Sequence, residues 1–166
     1  MKFYYYYDYP IGCLTLAEAN GSIVGLHFEE SGKTGLLLGF EFGETELLKK
    51  AAGQLDEYFA GKRKVFDLPL VFTGTDFQKK VWAALLAIPY GETRSYGEIA
   101  TSVGNSKAAR AVGMANNRNP IAIFCPCHRV IGADGTLVGF GGGLPIKQYL
   151  LDLERKNSIK AVGFIF

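Results

Sequence analysis

The sequence predicts an α+β protein in two units: a small N-terminal α/β unit with an antiparallel sheet, and a mainly helical C-terminal unit. Three observations carry that expectation. Residues 2–7, 12–19 and 22–28 read as consecutive short strands, and Asn20–Gly21 between the last two is a strong two-residue hairpin signal. Thr75 with Gln78, and Ser95 with Glu98, are capping-box patterns that each open a helix. The charge balance also changes sign along the chain. Residues 1–72 hold seven Lys and Arg against ten Asp and Glu, and residues 73–166 hold eleven against six. We place the domain boundary there, giving units 1–72 and 73–166.

The first two strands are joined through Asp8, Tyr9, Pro10, Ile11 and Gly12. The tyrosines of the first strand suit ordinary sheet packing, and aromatic stacking with nucleic-acid bases is the rival use. Residues 29–44 form a glycine-bearing connection with room for one more short strand around Leu36, Leu37 and Leu38. A helix follows over 46–60, with Leu48, Ala51, Leu55, Tyr58 and Phe59 on one stripe and Gly61 at its C-cap. Residues 65–72, with Pro69 inside, are an edge strand or an extended linker.

The capping box at Thr75 opens a helix that ends at Pro89–Tyr90–Gly91, with Phe77, Val81, Trp82, Leu85 and Ile88 inward. The box at Ser95 opens a shorter helix closed by Gly104. Ser106 is placed to cap a third helix over 107–118, whose inner face is Ala108, Ala111, Val112 and Ala115. Two short helices across a tight turn make a helix-turn-helix. Its second helix is made of small residues, Ala108, Ala109, Ala111, Gly113 and Ala115, with Arg110 opposite Ala108. It fits either a helix laid against DNA with Arg110 reaching inward, or a close helix–helix contact with Arg110 solvated. An apolar strand, 121–124, then leads to Cys125, Pro126, Cys127, His128 and Arg129. A glycine-rich loop with Gly139, Gly141, Gly142 and Gly143 follows. The last helix starts near Pro145, with Ile146, Tyr149, Leu150 and Leu153 as its apolar stripe and Glu154 near the same face.

Bulk composition narrows the class. With 48% apolar and 20% charged residues in 166, a real core is available and long disorder is excluded. The net charge of +2 names no partner by itself, although the basic second half suits a phosphate-binding surface as well as ordinary surface variation. Three cysteines do not make a disulfide framework. The N-terminus, MKFYYYYDYP, lacks the pattern of a cleaved leader, and no apolar run approaches the ~20 residues that span a bilayer. These features lead us to expect a soluble, cytoplasmic, reduced protein.

The chemistry concentrates at Cys127 and His128. A metal site needs about four ligands. Cys13, His27, Cys125, Cys127 and His128 stand in no recognised spacing, so no metal is expected. An acyl-transfer dyad needs the imidazole to face the thiol, and neighbours on a strand point to opposite faces. A turn at the cysteine or a bridging water restores the coupling. A thiolate activated by His128, with Glu154 orienting the imidazole, is then a catalytic triad applied to sulfur.

The blocks SYGEIA (95–100), KAARAVG (107–113), NP (119–120), PCHRV (126–130) and GFGGGL (139–144), in that order, resemble the methylated-DNA–protein-cysteine methyltransferase family, the alkylguanine-DNA alkyltransferases. The resemblance spans residues 75–154. It implies a ribonuclease H-like N-terminal unit and a winged helix-turn-helix-like C-terminal one. It also implies a repair protein that moves the alkyl group from the exocyclic oxygen of guanine, and of thymine, irreversibly onto its own Cys127. His128 would act as base through a water, with Glu154 behind it. Tyr96 would help to rotate the base and would protonate the leaving guanine. Arg110 would fill the space left by the flipped nucleotide, and Asn119 would brace the turn before the thiol. Ala109 and Gly113 would lie on the minor groove. The carbonyls of Cys127 and Val130 would accept from the guanine amine, and the amide of Gly141 would face its oxygen. No cofactor and no metal are implied. The partner is double-stranded DNA containing alkylated guanine, with no membrane and no obligate protein partner, so a monomer is expected. The chain departs from some relatives at Phe140, where they carry Tyr, and at Gly141, where they carry a side chain. Both departures predict a roomier pocket. The rivals are a lesion-binding protein without transfer, which would lack Cys127, and an oxidant-sensing regulator using Cys125 and Cys127, which the strained Cys–Pro–Cys spacing disfavours.

Overall fold

A computed structural model describes residues 1–28 and 37–163, with side chains described to residue 158. The chain forms two compact units: Met1–Phe72 with Pro120–Phe124, and Thr73–Asn119 with Cys125–Phe166. The short excursion Pro120–Phe124 groups with the first unit, which a linear boundary at 72/73 does not contain.

In the first unit, β1 (Lys2–Tyr9), β2 (Gly12–Ala19) and β3 (Ser22–Phe28) form an antiparallel meander in the order β3-β2-β1. Asn20 (φ 52°) and Gly21 (φ 83°) adopt the two positive φ values that a tight hairpin between twisted strands requires. The further strand is β4 (Glu41–Phe42), which pairs parallel with Phe3 and Tyr4. It lies beyond the leucine triplet: Leu38 is 91% exposed, and Leu36 is outside the described residues. The outer edge of β3 is covered by Leu70, which bridges to Ile23, and by Ile121, which bridges to Leu26. Residues 65–72 are thus an extended segment with a single bridge. Helix α1 (Glu46–Phe59) lays Leu48, Ala51, Leu55 and Tyr58 on the sheet, all fully buried. Burying each large side chain contributes about 1.5–3 kcal/mol. Thr45 caps its start, and the bonds from Gly61 N to Tyr58 O and from Lys62 N to Glu57 O close its end as a Schellman motif.

In the second unit, α2 (Asp76–Leu86) and α3 (Tyr96–Ser102) both begin with complete capping boxes, at Thr75/Gln78 and Ser95/Glu98. Such a cap contributes about 1 kcal/mol. Gly74 has to be glycine, since a Cβ there would sit 2.7 Å from the Trp82 ring. A second Schellman closure, Gly104 N to Thr101 O and Asn105 N to Ala100 O, ends α3 with Gly104 at φ 89°. The next helix, α4, is Ala109–Asn117, two residues shorter at its start than expected. Ser106 does not cap it. Asn105 organises the turn instead, its Oδ1 accepting from Lys107 N and its carbonyl from Ala108 N. The inner stripe of α4 is Val112, Ala115 and Asn116, and Ala111 is exposed. Trp82 Nε1 donates to Ala115 O across α2 and α4. A two-residue parallel pair joins β5 (Arg94–Ser95) to β6 (Val130–Ile131). The last helix, α5, is Leu144–Gly163. Its buried stripe is Lys147, Leu150, Leu151 and Glu154, while Tyr149 is 39% exposed.

Candidate active site

The segment before the thiol is not a regular strand. Ile123 has φ 70°, and Phe124 N bonds back to Ala122 O at 2.8 Å, which makes a γ-turn of the rare positive-φ kind. A second γ-turn follows at Pro126 (φ −81°, ψ 65°), closed by Cys127 N to Cys125 O at 2.8 Å. Proline has no N–H to lose, and its φ is already set for this turn. Cys127–Arg129 is then one turn of 3₁₀ helix. Successive side chains in such a turn point about 120° apart, not to opposite faces. Cys127 and His128 therefore escape the alternation of a strand.

His128 is fully buried, and its Nε2 lies 2.7 Å from Glu154 Oε2. Its Nδ1 is buried with no hydrogen-bond partner among the described residues. Burial pushes the imidazole below its ordinary range, against the pull of Glu154. A neutral ring that gives its Nε2 proton to Glu154 presents Nδ1 as an open acceptor. Burial works against ionisation of Glu154, but His128 and Arg129 outweigh it and hold the carboxyl well below the usual carboxylate range. Arg129 grips Glu154 with two nitrogens, Nε to Oε1 at 2.8 Å and Nη2 to Oε2 at 3.0 Å, and its Nη1 donates to Ile88 O at 2.7 Å. Gly91, at φ 79°, adds its N–H to Oε1 at 3.1 Å. The carboxylate is thus fully partnered and fixed in place.

The other expected residues are arranged around the same turn. Asn119 Nδ2 donates to Cys125 O at 2.8 Å, just upstream of the thiol. Tyr96 Oη donates to Val138 O at 2.7 Å at the start of the glycine loop, and burial together with the Cys127 charge pushes its phenol up. Gly113 lies against the Tyr96 ring, at 3.7 Å from where a Cβ would be. Arg110 is exposed on α4 next to the exposed Ala111 and Met114, and Ala109 is half-buried. Phe140 is half-buried, and its carbonyl accepts from Gly143 N; Gly141 is exposed. The two carbonyls expected to receive a guanine amine already have partners. Cys127 O takes Val130 N and Asn116 Nδ2 (3.3 Å), and Val130 O takes Lys147 Nζ (2.6 Å). Each carbonyl oxygen has two lone pairs, so Val130 O keeps one for a ligand.

Cys125 is fully buried, donates from Sγ to Trp82 O at 3.6 Å, and has its thiol pushed up by burial. That is a packed, inert thiol. Sequence reasoning missed three contributors: Arg129, Asn116 and Lys147. Lys147 had a readable signal, since 147, 150, 151 and 154 follow helical spacing, but a lysine in a buried stripe is rarely expected. A surface groove of about 710 Å³ between α2 and α3, floored by Ala84, Ile88 and Ile99, contains none of the site residues.

Comparison with known proteins identifies the family of the chain. Two family descriptions match the chain: "6-O-methylguanine DNA methyltransferase, ribonuclease-like domain" over residues 2–72, and the DNA binding domain of the same family over residues 76–156. The methylated-DNA–protein-cysteine methyltransferase of Methanosarcina acetivorans is 51% identical over 152 residues, 92% of this chain and 97% of that protein. The chain belongs to the methylated-DNA–protein-cysteine methyltransferase family. A crystal structure of the Mycobacterium tuberculosis O6-methylguanine methyltransferase superposes with TM-score 0.89 at 50% identity, covering 95% of this chain and 94% of that one. A Mycobacterium tuberculosis OGT solved in complex with DNA gives 0.86, also at 50% identity, over 93% and 94%. The α+β architecture, with an antiparallel N-terminal sheet and a helical C-terminal unit, is the architecture of this family.

Proposed function

We propose that this chain repairs DNA by moving the alkyl group from the exocyclic oxygen of guanine, and of thymine, onto Cys127. The transfer is irreversible, so each molecule acts once. The observation that carries the proposal is a cysteine on a tight turn beside a buried imidazole. That imidazole has one nitrogen fixed by Glu154 and the other open.

His128 Nδ1 takes the thiol proton through a water, and Glu154 steadies the ring as it gains charge. The sulfur attacks the alkyl carbon, a carbon–sulfur bond forms, and the carbon–oxygen bond breaks with its electrons going to the base. Tyr96, whose phenol holds its proton tightly, donates it to a ring nitrogen of the leaving guanine and regains one from solvent. Thioether formation leaves no route back. Arg110, exposed on α4, fills the stack where the target nucleotide has been flipped out. The exposed small-residue face of α4 lies in the minor groove, where phosphate contacts and shape suffice to search any sequence. Asn119 holds the thiol-bearing turn. Phe140 and Gly141 form the pocket wall, which accepts groups larger than methyl. The protein works as a cytoplasmic monomer without cofactor, with residues 1–72 as scaffold and 73–166 as the reactive domain.

The test is to mix the protein with a duplex containing one O6-methylguanine and to weigh the product. One methyl adduct on Cys127, absent in Cys127→Ala and retained in Cys125→Ser, is expected. Tight lesion binding with unmodified protein would overturn the proposal.

A further inference from the structure

Lys147 is the most unusual group in the C-terminal unit. It is fully buried on α5, and its Nζ donates to Val130 O at 2.6 Å, Val138 O at 3.1 Å and Gly139 O at 3.4 Å. Three carbonyls on one nitrogen use three hydrogens, so the amine is held as an ammonium. No carboxylate lies within ion-pair distance of it among the described residues. A buried cation without an anion is costly and marks a functional position.

The charges of the site make the reason visible. Among the described residues, the buried charged side chains of this unit are Arg129, Lys147 and Glu154. Arg129 and Glu154 neutralise one another through their two-nitrogen grip. His128 is neutral, and the phenol of Tyr96 and the thiol of Cys125 keep their protons. One positive charge is left over, and it is hydrogen-bonded at 2.6 Å to Val130, the residue that caps the Cys127–Arg129 turn, which sets it to act on the Cys127 thiol. Burial pushes the Lys147 ammonium down, and a Cys127 thiolate pulls it back up.

We infer that Lys147 is a positioning residue of the alkyl-transfer site, whose surplus buried charge favours the Cys127 thiolate while its three hydrogen bonds fasten the glycine loop to the thiol-bearing turn. The inference builds on the reading of Cys127 as alkyl acceptor. Proton loss from sulfur brings the buried cluster to neutrality. Lys147 also opposes protonation of His128. Once His128 has taken the sulfur proton, the ammonium therefore favours its release through the water to solvent, and the cluster is neutral when that proton has left. The same ammonium shares its Val138 acceptor with Tyr96 Oη, so the loop is pinned at one carbonyl from both α3 and α5.

The test uses the full chain and methyl methanethiosulfonate, a small reagent that reacts with thiolate. The thiolate attacks its sulfenyl sulfur, a methyl disulfide forms, and methanesulfinate leaves. The rate at Cys127, located by mass, is followed against pH for the wild type, Lys147→Met and Lys147→Arg. Lys147→Met should react at least about tenfold more slowly at neutral pH, with its midpoint moved up by about one pH unit. Lys147→Arg should keep the wild-type midpoint. An unchanged midpoint in Lys147→Met overturns the inference, whatever its absolute rate. If Lys147→Met does not fold, the wild type decides by ¹⁵N NMR of the lysine Nζ. Lys147 should titrate at lower pH once Cys127 carries a methylthio group, and an unchanged titration overturns the inference. A shifted midpoint in a protein that takes no alkyl group from DNA would sink the proposed function and leave the role of Lys147 standing.

Discussion

The two units bury different things. The N-terminal unit packs Leu14, Leu16, Ile23, Leu26, Leu48, Leu55 and Tyr58 behind a regular meander, and its buried polar groups, Thr15, Glu18 and Gln54, are few. The C-terminal unit has a comparable apolar core but also buries His128, Arg129, Lys147, Glu154, Asn116 and Asn119 around one turn. Burying a charge costs several kcal/mol unless it is paired and hydrogen-bonded. The first unit meets that cost once among its described residues, at Glu18, which takes a hydrogen bond from Thr45 Oγ1. The second accepts it several times around the turn that carries Cys127.

That contrast can be broken most sharply at the sulfur. Cys127→Ala should abolish alkyl transfer completely while leaving thermal unfolding nearly unchanged. Next in size is Arg129→Met, which takes the guanidinium away from the buried Glu154 carboxylate and leaves it His128 and Gly91 N. Breaking such a pair costs about 3–5 kcal/mol, and both denaturant midpoint and transfer rate should fall. The matched change in the first unit is Leu55→Ala. It should cost about 2–5 kcal/mol through the cavity it leaves, with the transfer rate of the folded molecules unaltered. Loss of rate in Leu55→Ala at full folding would erase the distinction between the units.

A smaller effect is expected from pH. His128 and Glu154 both sit below their ordinary values of 6.5 and 4.5. The unfolded chain therefore binds protons that the folded one refuses. Stability contributed by both groups is present above those values and is lost as pH falls, first below about 6.5 and again below about 4.5. His128→Gln should remove the first step in a urea titration series. The mildest change is at Arg110. Arg110→Ala should slow repair of a duplex lesion by about tenfold, on the order of 1.4 kcal/mol. Reaction with free O6-benzylguanine should stay nearly intact. Equal slowing of both substrates would remove Arg110 from base flipping.

Much of this was legible because local chemistry decided it. Asn20–Gly21 fixes its hairpin through two positive φ values, and each capping box satisfies its own helix start without outside help. What was hidden depends on distant partners. The two-residue strand Glu41–Phe42 exists through pairing with Phe3 and Tyr4, and nothing in its own composition asks for it. The start of α4 slid past Ser106 because Asn105 took over the turn. At Ile123, a β-branched residue occupies a positive φ that its own propensity opposes, so tertiary packing overrides it. Within the site, Cys127, His128 and Glu154 were readable as chemistry. Arg129 and Lys147 were not, because cations usually belong to the surface until a fold supplies their acceptors.

The single tryptophan has a use of its own. Trp82 is 2% exposed, and its indole N–H is bonded to a carbonyl of α4. Its fluorescence is therefore a built-in reporter of α4 and the C-terminal unit. Six of the nine tyrosines, Tyr4, Tyr5, Tyr6, Tyr7, Tyr9 and Tyr58, lie in the other unit and emit at shorter wavelength. Excitation at the red edge of the absorption follows the C-terminal unit through Trp82 alone, while tyrosine emission is weighted towards the other unit, with no label attached.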